Sequence, residues 1–386
     1  MSSPACQLDP VQAKVFSMET DIQQILCQLA STLVDQQRAS VLVSPQADGE
    51  GYWFGGGNVA KDSQGAYWLC GRYRNHGDSR TGTGAGERGL ELAVFRADTP
   101  LGPWQKELSF TKDDLGVNGQ EVVSIEGSAL RVRDDLVELF VSTEKAQRYP
   151  DEIEHFQKPG TGCWEIDVMT ASSVHELKAS NLRSVVGCGD PAALHVKDPV
   201  AFDVPGGNGD TALIFCSHPY TWASSNTGLA VRAAGQDEFS LQTLQLLGRG
   251  AAWDVAATRV TDCMPVPALG RLADMPAISL YFYDGAECLR SLDENPAAVS
   301  RPRGYSCEEL GGLACGFDRQ FPSLRRLSTM EPMFVSPEGT GCSRYVSTLV
   351  TGEGILATWQ QSQPDLSQPL VGNFVELERV AEILGA

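Results

Sequence analysis

The sequence predicts an all-β fold: a five-bladed β-propeller with an N-terminal amphipathic helix and a long insertion before the last blade. Two observations predict it, a hairpin-led unit and the return of that unit at a nearly constant interval. The clearest copy runs Val196-Lys197-Asp198-Pro199-Val200-Ala201-Phe202, turns through Pro205, Gly206, Gly207, Asn208 and Gly209, and returns as Thr211 to His218. Two short apolar runs around a Pro/Gly/Asn loop read as a β-hairpin. Proline has no N–H for a sheet ladder, so Pro199 belongs at a strand start and Asp198 at the strand's mouth. Taking Gly57, Glu126, Asp198, Asp262 and Glu331 as equivalent points, the spacings are 69, 72, 64 and 69 residues. A long repeat of this kind points to a propeller with long blades. Four of the five aligned points are acids.

In chain order, Asp9-Pro10 opens a helix, with Asp as N-cap and Pro at the first helical position. Val11, Val15, Met18, Ile22, Ile25, Leu26, Leu29 and Leu33 then form one apolar stripe. This segment, residues 1–40, is expected to pack on the outside of the propeller or to close one end; the alternative is a contact between copies in a homo-oligomer. Residues 41–386 are expected to form the propeller. Blade one holds Tyr52-Trp53-Phe54, the triple glycine Gly55-Gly56-Gly57, and Trp68 to His76. The triple glycine precedes no helix pattern and lacks the Lys-Ser/Thr of a phosphate loop, so it reads as close backbone approach near a sheet mouth. Blade two runs from Glu126 to Val168 with a polar insertion at 147–161. Blade three is the clearest copy plus Thr227 to Val231, and blade four starts at Arg259-Val260-Thr261-Asp262. Residues 293–321, with Arg301-Pro302-Arg303-Gly304-Tyr305 and the paired acids Glu308-Glu309, read as an ordered loop that covers a site. Blade five follows from Glu331 to Ser362, and 374–384 reads as a closing strand and short helix.

Acids outnumber bases 49 to 30, a formal charge of −19, which argues against a nucleic-acid partner. No window reaches the roughly 18 apolar residues of a membrane span. Met1 to Pro10 has no basic or apolar leader, so the expectation is a cytoplasmic protein with no membrane association. The 11 cysteines are odd in number and form no CxxC pair, so they read as reduced, buried thiols. No metal and no cofactor is indicated.

In a propeller the innermost strands converge on a central funnel, where acids from different blades face one another. Opposed carboxylates are what glycosidic cleavage needs: one protonates the leaving oxygen, and the other activates water or attacks the anomeric carbon. The candidate catalytic acids are Asp198, Glu126, Glu331 and Asp262, with Glu308 and Glu309 as outsiders from the insertion. The alternative for each is a strand-end acid paired with arginine or with backbone N–H groups. Arg72, Arg74, His76, Arg80 and Arg88 gather in one short region. They either pair with surplus carboxylates or bind an anionic or heavily hydroxylated ligand. Trp53, Tyr73, Trp222 and Trp359 either stack on sugar faces or pack in the core. The candidate substrate-binding set is Arg72, Arg74, His76, His218, Trp53, Asn58, Glu309 and Trp359.

The blade pattern resembles the five-bladed propeller glycosidases: arabinanases and β-xylosidases of family 43, invertases of family 32, and the related anhydrogalactosidases and mannoside phosphorylases of families 117 and 130. Lys197 to Phe202 is similar to the acid–proline start of their third blade, and Thr99-Pro100-Leu101-Gly102-Pro103-Trp104 to their Ser/Thr-x-x-Gly-Pro-Trp turn. The resemblance implies that Asp198 tunes the general acid and orients the sugar. It does not carry over intact. Gly57 or Asn58 stands where those families place a blade-one aspartate, and Asp262 where they place the general-acid glutamate. The expectation is a glycoside hydrolase, exo-acting on a short oligosaccharide and, like the resembling arabinanases, inverting. The alternatives are a phosphorylase binding phosphate through Arg72, Arg74 and His76, and a non-catalytic glycan-binding propeller.

Overall fold

The computed structural model describes residues 10–75, 87–157, 160–187, 194–218, 224–288 and 309–385. His76, Arg80, Trp222 and Glu308, as well as the side chain of Arg88, fall outside the described set.

The chain opens with helix α1, Pro10–Leu33, followed by strand β1, Ser40–Val43. Blade one contains β2 (Trp53–Gly55), β3 (Val59–Lys61), β4 (Tyr67–Asn75), β5 (Glu87–Ala97) and β6 (Gln105–Thr111), with β2 and β3 as two halves of one broken inner strand. Blade two contains β7 (Val122–Val132), β8 (Val137–Lys145), β9 (Cys163–Ala171) and β10 (Arg183–Val186). Blade three contains β11 (His195–Asp203), β12 (Thr211–His218), β13 (Asn226–Arg232) and β14 (Ser240–Leu247). Blade four contains β15 (Ala257–Pro265), β16 (Ile278–Ala286), β17 (Leu310–Phe317) and β18 (Arg325–Arg326). Blade five contains β19 (Ser343–Val350), β20 (Gly354–Gln361) and β21 (Leu370–Glu376), and helix α2 (Leu377–Ile383) follows. All neighbouring strands within a blade pair antiparallel.

Three expectations shift. The strand that closes the ring is β1, which pairs antiparallel with β21 through Ser40↔Gly372 and Val41↔Val371, so the last blade is stitched from both ends of the chain. The stretch 293–321, read as one loop, contains β17, whose small and apolar residues from Leu310 to Phe317 supply the third strand of blade four. Glu331 does not open blade five. Pro332 and Pro337 deprive that stretch of ladder donors, and it makes only an isolated bridge between Phe334 and Gly311 of β17. The inner strand of blade five starts at Ser343.

From Thr20 onward the α1 stripe is buried as its spacing predicts. Ile22, Leu26, Leu29, Ala30 and Leu33 pack against Met264, Leu280 and Phe282 of blade four, Ile355, Ala357, Trp359 and Val375 of blade five, and Val380 and Ile383 of α2. Asn373 donates to the carbonyls of Thr32 and Leu33 at 3.0 and 3.2 Å, satisfying groups that the helix end leaves open. The helix therefore seats over blades four and five rather than in the funnel. Among the described residues no helix is long and apolar enough to cross a membrane. Of the eight cysteines among them, Cys70, Cys163, Cys216 and Cys342 are buried and Cys288 is exposed.

Candidate active site

Every inner strand breaks its ladder at one level. The breaks fall between β2 and β3, between Ile125 and Ser128, Lys197 and Val200, Val260 and Asp262, and Arg344 and Ser347. Such bulges leave residues unpaired and re-aim their side chains. The residues at this level are Gly56, Glu126, Asp198, Thr261 and Tyr345. Asp198 and Tyr345 both adopt φ 54°, the left-handed region that costs a non-glycine residue energy. Pro199, with no N–H to lose, sits inside the break. Asp198 is held there from two neighbouring strands: its N–H donates to Ser142 Oγ at 3.0 Å, and its Oδ1 accepts from Gly127 N–H at 2.9 Å.

Around these bulges four acids and four bases interlock. Asp198 Oδ2 lies 3.1 Å from Arg259 Nη1 and 3.6 Å from Lys197 Nζ. Lys197 also reaches Glu126 Oε2 at 3.3 Å, and Ser124 Oγ donates to the other Glu126 oxygen at 3.0 Å. Arg259 donates to Asp284 at 2.7 Å and to Glu309 at 2.9 Å. Arg344 donates to the same Glu309 oxygen at 2.6 Å. Tyr345 stacks beneath Arg259, whose guanidinium carbon is 4.0 Å from the ring centroid. The Tyr345 hydroxyl lies 3.1 Å from Arg72 and 3.5 Å from Asp198. All these groups are buried. Burial pushes the Tyr345 hydroxyl up to about 12, against the pull of Arg259 and Arg72. Burial likewise raises the Asp284 carboxyl to about 6; Arg259 opposes that rise and Glu309 adds to it. Asp284 in turn accepts the Tyr345 N–H at 3.1 Å, tying blade four to the bulge of blade five.

Of the sequence candidates, the structure brings together Glu126, Asp198, Arg72 and Glu309. Glu309 arrives from the residue just before β17. Trp53 joins them, its ring 4.7 Å from the Arg72 guanidinium carbon and 5.3 Å from that of Arg344. Arg74 is buried two residues along β4 from Arg72, opposite Trp53. His218 is fully buried at the end of β12, where it pairs with His195 of β11. One of its nitrogens meets the Ser224 carbonyl at 2.7 Å and the other lies 3.3 Å from Cys216 Sγ.

Four candidates lie elsewhere. Asp262 sits one residue past the bulge and points into the seam between blades four and five, where it accepts from the N–H (2.9 Å) and hydroxyl of Thr348. Asn58 makes the matching seam between blades one and two, bonding both the N–H and the carbonyl of Leu130 at 2.7 and 2.9 Å. Glu331 is exposed in the connection before blade five. Trp359 is fully buried in the core beneath α1, and its indole N–H donates to Gln36. Tyr73, weighed as a stacking platform, packs against Phe54 in the blade-one core.

Lys197, Arg259, Asp284, Arg344 and Tyr345 were not singled out as site residues from the sequence. The signal for Lys197, Arg344 and Tyr345 is the polar pair at two of the bulges, Lys197-Asp198 and Arg344-Tyr345, which appears once the blades are aligned on the bulge rather than on acids. The arrangement can hold two carboxylates ionised side by side. Glu126 and Asp198 each lie within 3.6 Å of Lys197 Nζ, so their nearest oxygens are less than about 7 Å apart. That separation covers the retaining range, about 5–5.5 Å, and only the lower edge of the inverting range.

No family model matches the sequence, and no curated protein matches it. Solved structures do match in fold. An α-L-arabinofuranosidase from Lactobacillus brevis aligns with TM-score 0.54 at 10% identity, over 88% of this chain and 93% of that one. A β-1,2-mannobiose phosphorylase from Listeria innocua, in complex with β-1,2-mannobiose, aligns with TM-score 0.52 at 12% identity, over 89% and 96%. A thermostable family-43 glycoside hydrolase aligns with TM-score 0.50 at 12% identity, over 86% and 91%. At such identities the likeness is one of architecture: the chain shares the five-bladed propeller fold of these glycoside-processing enzymes.

Proposed function

We propose that the protein is a glycoside hydrolase acting on an oligosaccharide at the floor of the propeller funnel, with Glu126 and Asp198 as its carboxylate pair. The observation that carries the reading is their convergence from adjacent blades onto Lys197 and Arg72, on a fold shared with glycoside-processing enzymes. Asp198 accepts from the Gly127 N–H and from Arg259, and takes the role of base or nucleophile. Glu126 is the more exposed of the two, at 8% against 4%, and is assigned the proton exchanged with the leaving oxygen.

A phosphorylase is favoured by a different observation: Arg72, Lys197, Arg259 and Arg344 gather four cations around the carboxylate pair. One assay separates the two. Short oligosaccharides and chromogenic glycosides are incubated with the protein, with and without phosphate. Free sugar released without phosphate is expected; a sugar phosphate formed only with phosphate would replace hydrolysis by phosphorolysis. Asp198→Asn and Glu126→Gln are expected to lower turnover by about 10²–10⁴-fold with melting temperature nearly unchanged. Full activity in both variants would overturn the assignment. A wild type that binds sugars without turning them over would be a glycan-binding propeller.

A further inference from the structure

The two bulges that carry the carboxylate pair each take backbone groups out of their own ladder. In blade two the register passes from Ile125↔Thr143 to Ser128↔Val141, so Glu126 and Gly127 together stand opposite one residue of β8, Ser142. In blade three it passes from Lys197↔Cys216 to Val200↔Ile214, which removes Asp198 and Pro199 from the pairing. Buried N–H and C=O groups freed in this way are costly unless another group bonds them.

Ser142 bonds them for both blades. Side chains alternate along a strand, and the even-numbered residues of β8 face blade three. Phe140 packs against Val196, Leu213 and Phe215, and Glu138 accepts from Arg232 at 2.7 Å. Ser142, fully buried on this face, donates its hydroxyl to the Gly127 carbonyl at 2.9 Å and accepts the Asp198 N–H at 3.0 Å. The Gly127 N–H in turn donates to Asp198 Oδ1 at 2.9 Å, which closes a circuit of three hydrogen bonds. A hydroxyl can donate and accept at once, so one small side chain serves both bulges. The circuit runs from the residue after Glu126 to the backbone and the carboxylate of Asp198.

We propose that Ser142 is a positioning residue whose hydroxyl sets the spacing of Glu126 and Asp198. The inference rests on those two acids being the working pair. Ser142 acts through backbone: it holds Gly127, and with it the adjoining Glu126, against the left-handed turn at Asp198. Without the hydroxyl the Gly127 carbonyl and the Asp198 N–H both lose their partner, and the two bulges are free to shift relative to each other. Chemistry that needs two carboxyls at a fixed separation suffers from such a shift even when substrate still binds.

The test measures kcat and KM of the full-length protein on the chromogenic glycosides that the wild type turns over, at temperatures below each variant's melt. Ser142→Ala is expected to lower kcat about 10- to 100-fold and to leave KM within about 3-fold. Ser142→Thr keeps the hydroxyl and is expected to restore most of the lost turnover. In an Asp198→Asn background, Ser142→Ala should lower turnover by less than about 3-fold further, because residues that act as a unit are not additive. If Ser142→Ala gives no cooperative melt, Ser142→Cys takes its place with the same expectation, since its S–H is only a weak donor and acceptor. An unchanged kcat in the folded variant overturns the proposal. So does an equal loss in both backgrounds, or a folded Ser142→Thr as impaired as Ser142→Ala. In each of these cases Asp198→Asn and Glu126→Gln remain impaired, so the carboxylate pair stands and Ser142 alone is structural. Full activity of Asp198→Asn and Glu126→Gln, or a wild type that turns over no glycoside, removes the pair itself and its positioning residue with it.

Discussion

Asp198 shows how much of this site is set by single residues. Its left-handed backbone, the proline that follows and the N–H of Gly127 all fix one carboxylate orientation. Gly127 is the most exposed of the three to a test. A Cβ there would lie 2.5 Å from Asp198 Oδ1 and 2.8 Å from Asp198 Cα. The second atom is backbone inside an inner strand and cannot swing aside. Gly127→Ala should therefore cost about 1–3 kcal/mol of stability, the usual range for overpacking. It should also lower turnover as far as Asp198→Asn does, because the carboxylate is displaced rather than removed. Turnover measured beside a thermal melt checks this. A variant that is destabilised yet fully active would mean that the Asp198 position is not what the chemistry depends on.

The unit of construction at the next scale is the seam between inner strands. Asn58 joins blades one and two, and Asp262 joins blades four and five, each by side-chain bonds to the neighbouring strand's backbone. The blade rhythm was legible in the sequence because its marks are local: a Pro or Gly at the bulge, and an apolar return strand. The roles within the rhythm were not. Asp198 was readable because Pro199 flags the bulge, whereas Asp262 is an acid one residue out of phase and so reads as a funnel residue when it belongs to a seam. Arg344 and Tyr345 were hidden by the Glu331 stretch, which imitates a strand start, and β1 by pairing with residues at the far end of the chain. Asp262 offers a pH test. Burial pushes its carboxyl up to about 7 from the ordinary 3.8, and the Thr348 bonds only partly oppose this. Between about pH 4 and 7 the native state then binds the proton more tightly than the unfolded chain. This group therefore makes stability fall as pH rises through that window. Asp262→Asn keeps an oxygen for Thr348 and removes the titration. Its stability should match the wild type near pH 4 and exceed it at pH 8 by on the order of 1–3 kcal/mol, read as a higher melting temperature at the upper pH only. Equal melting temperatures across the range would show that the seam carboxyl ionises freely.

At the scale of the whole molecule, the site exists only while the ring is closed. Blade one gives Arg72, blade two Glu126, blade three Lys197 and Asp198, blade four Arg259, Asp284 and, just before its third strand, Glu309, and blade five Arg344 and Tyr345. Four cations and four carboxylates are thereby gathered in a chain whose formal charge is −19. Closure depends on the N-terminal segment. β1 completes blade five, and α1 buries Ile22, Leu26, Leu29 and Leu33 over blades four and five. Each fully buried side chain of this kind contributes about 1.5–3 kcal/mol. Four of them approach the 5–15 kcal/mol that typically separates a folded from an unfolded domain. Deleting residues 1–44 should therefore abolish the cooperative thermal transition and sugar binding together. Leu29→Ala or Leu33→Ala, each at 0% exposure, should cost about 2–5 kcal/mol and leave binding intact at temperatures below the lowered transition. Calorimetric melts and sugar titrations on the three proteins check this. If the truncated chain melts cooperatively and binds sugar with undiminished affinity, blades one to four hold the funnel by themselves, and the helix and closing strand are additions to a ring already stable without them.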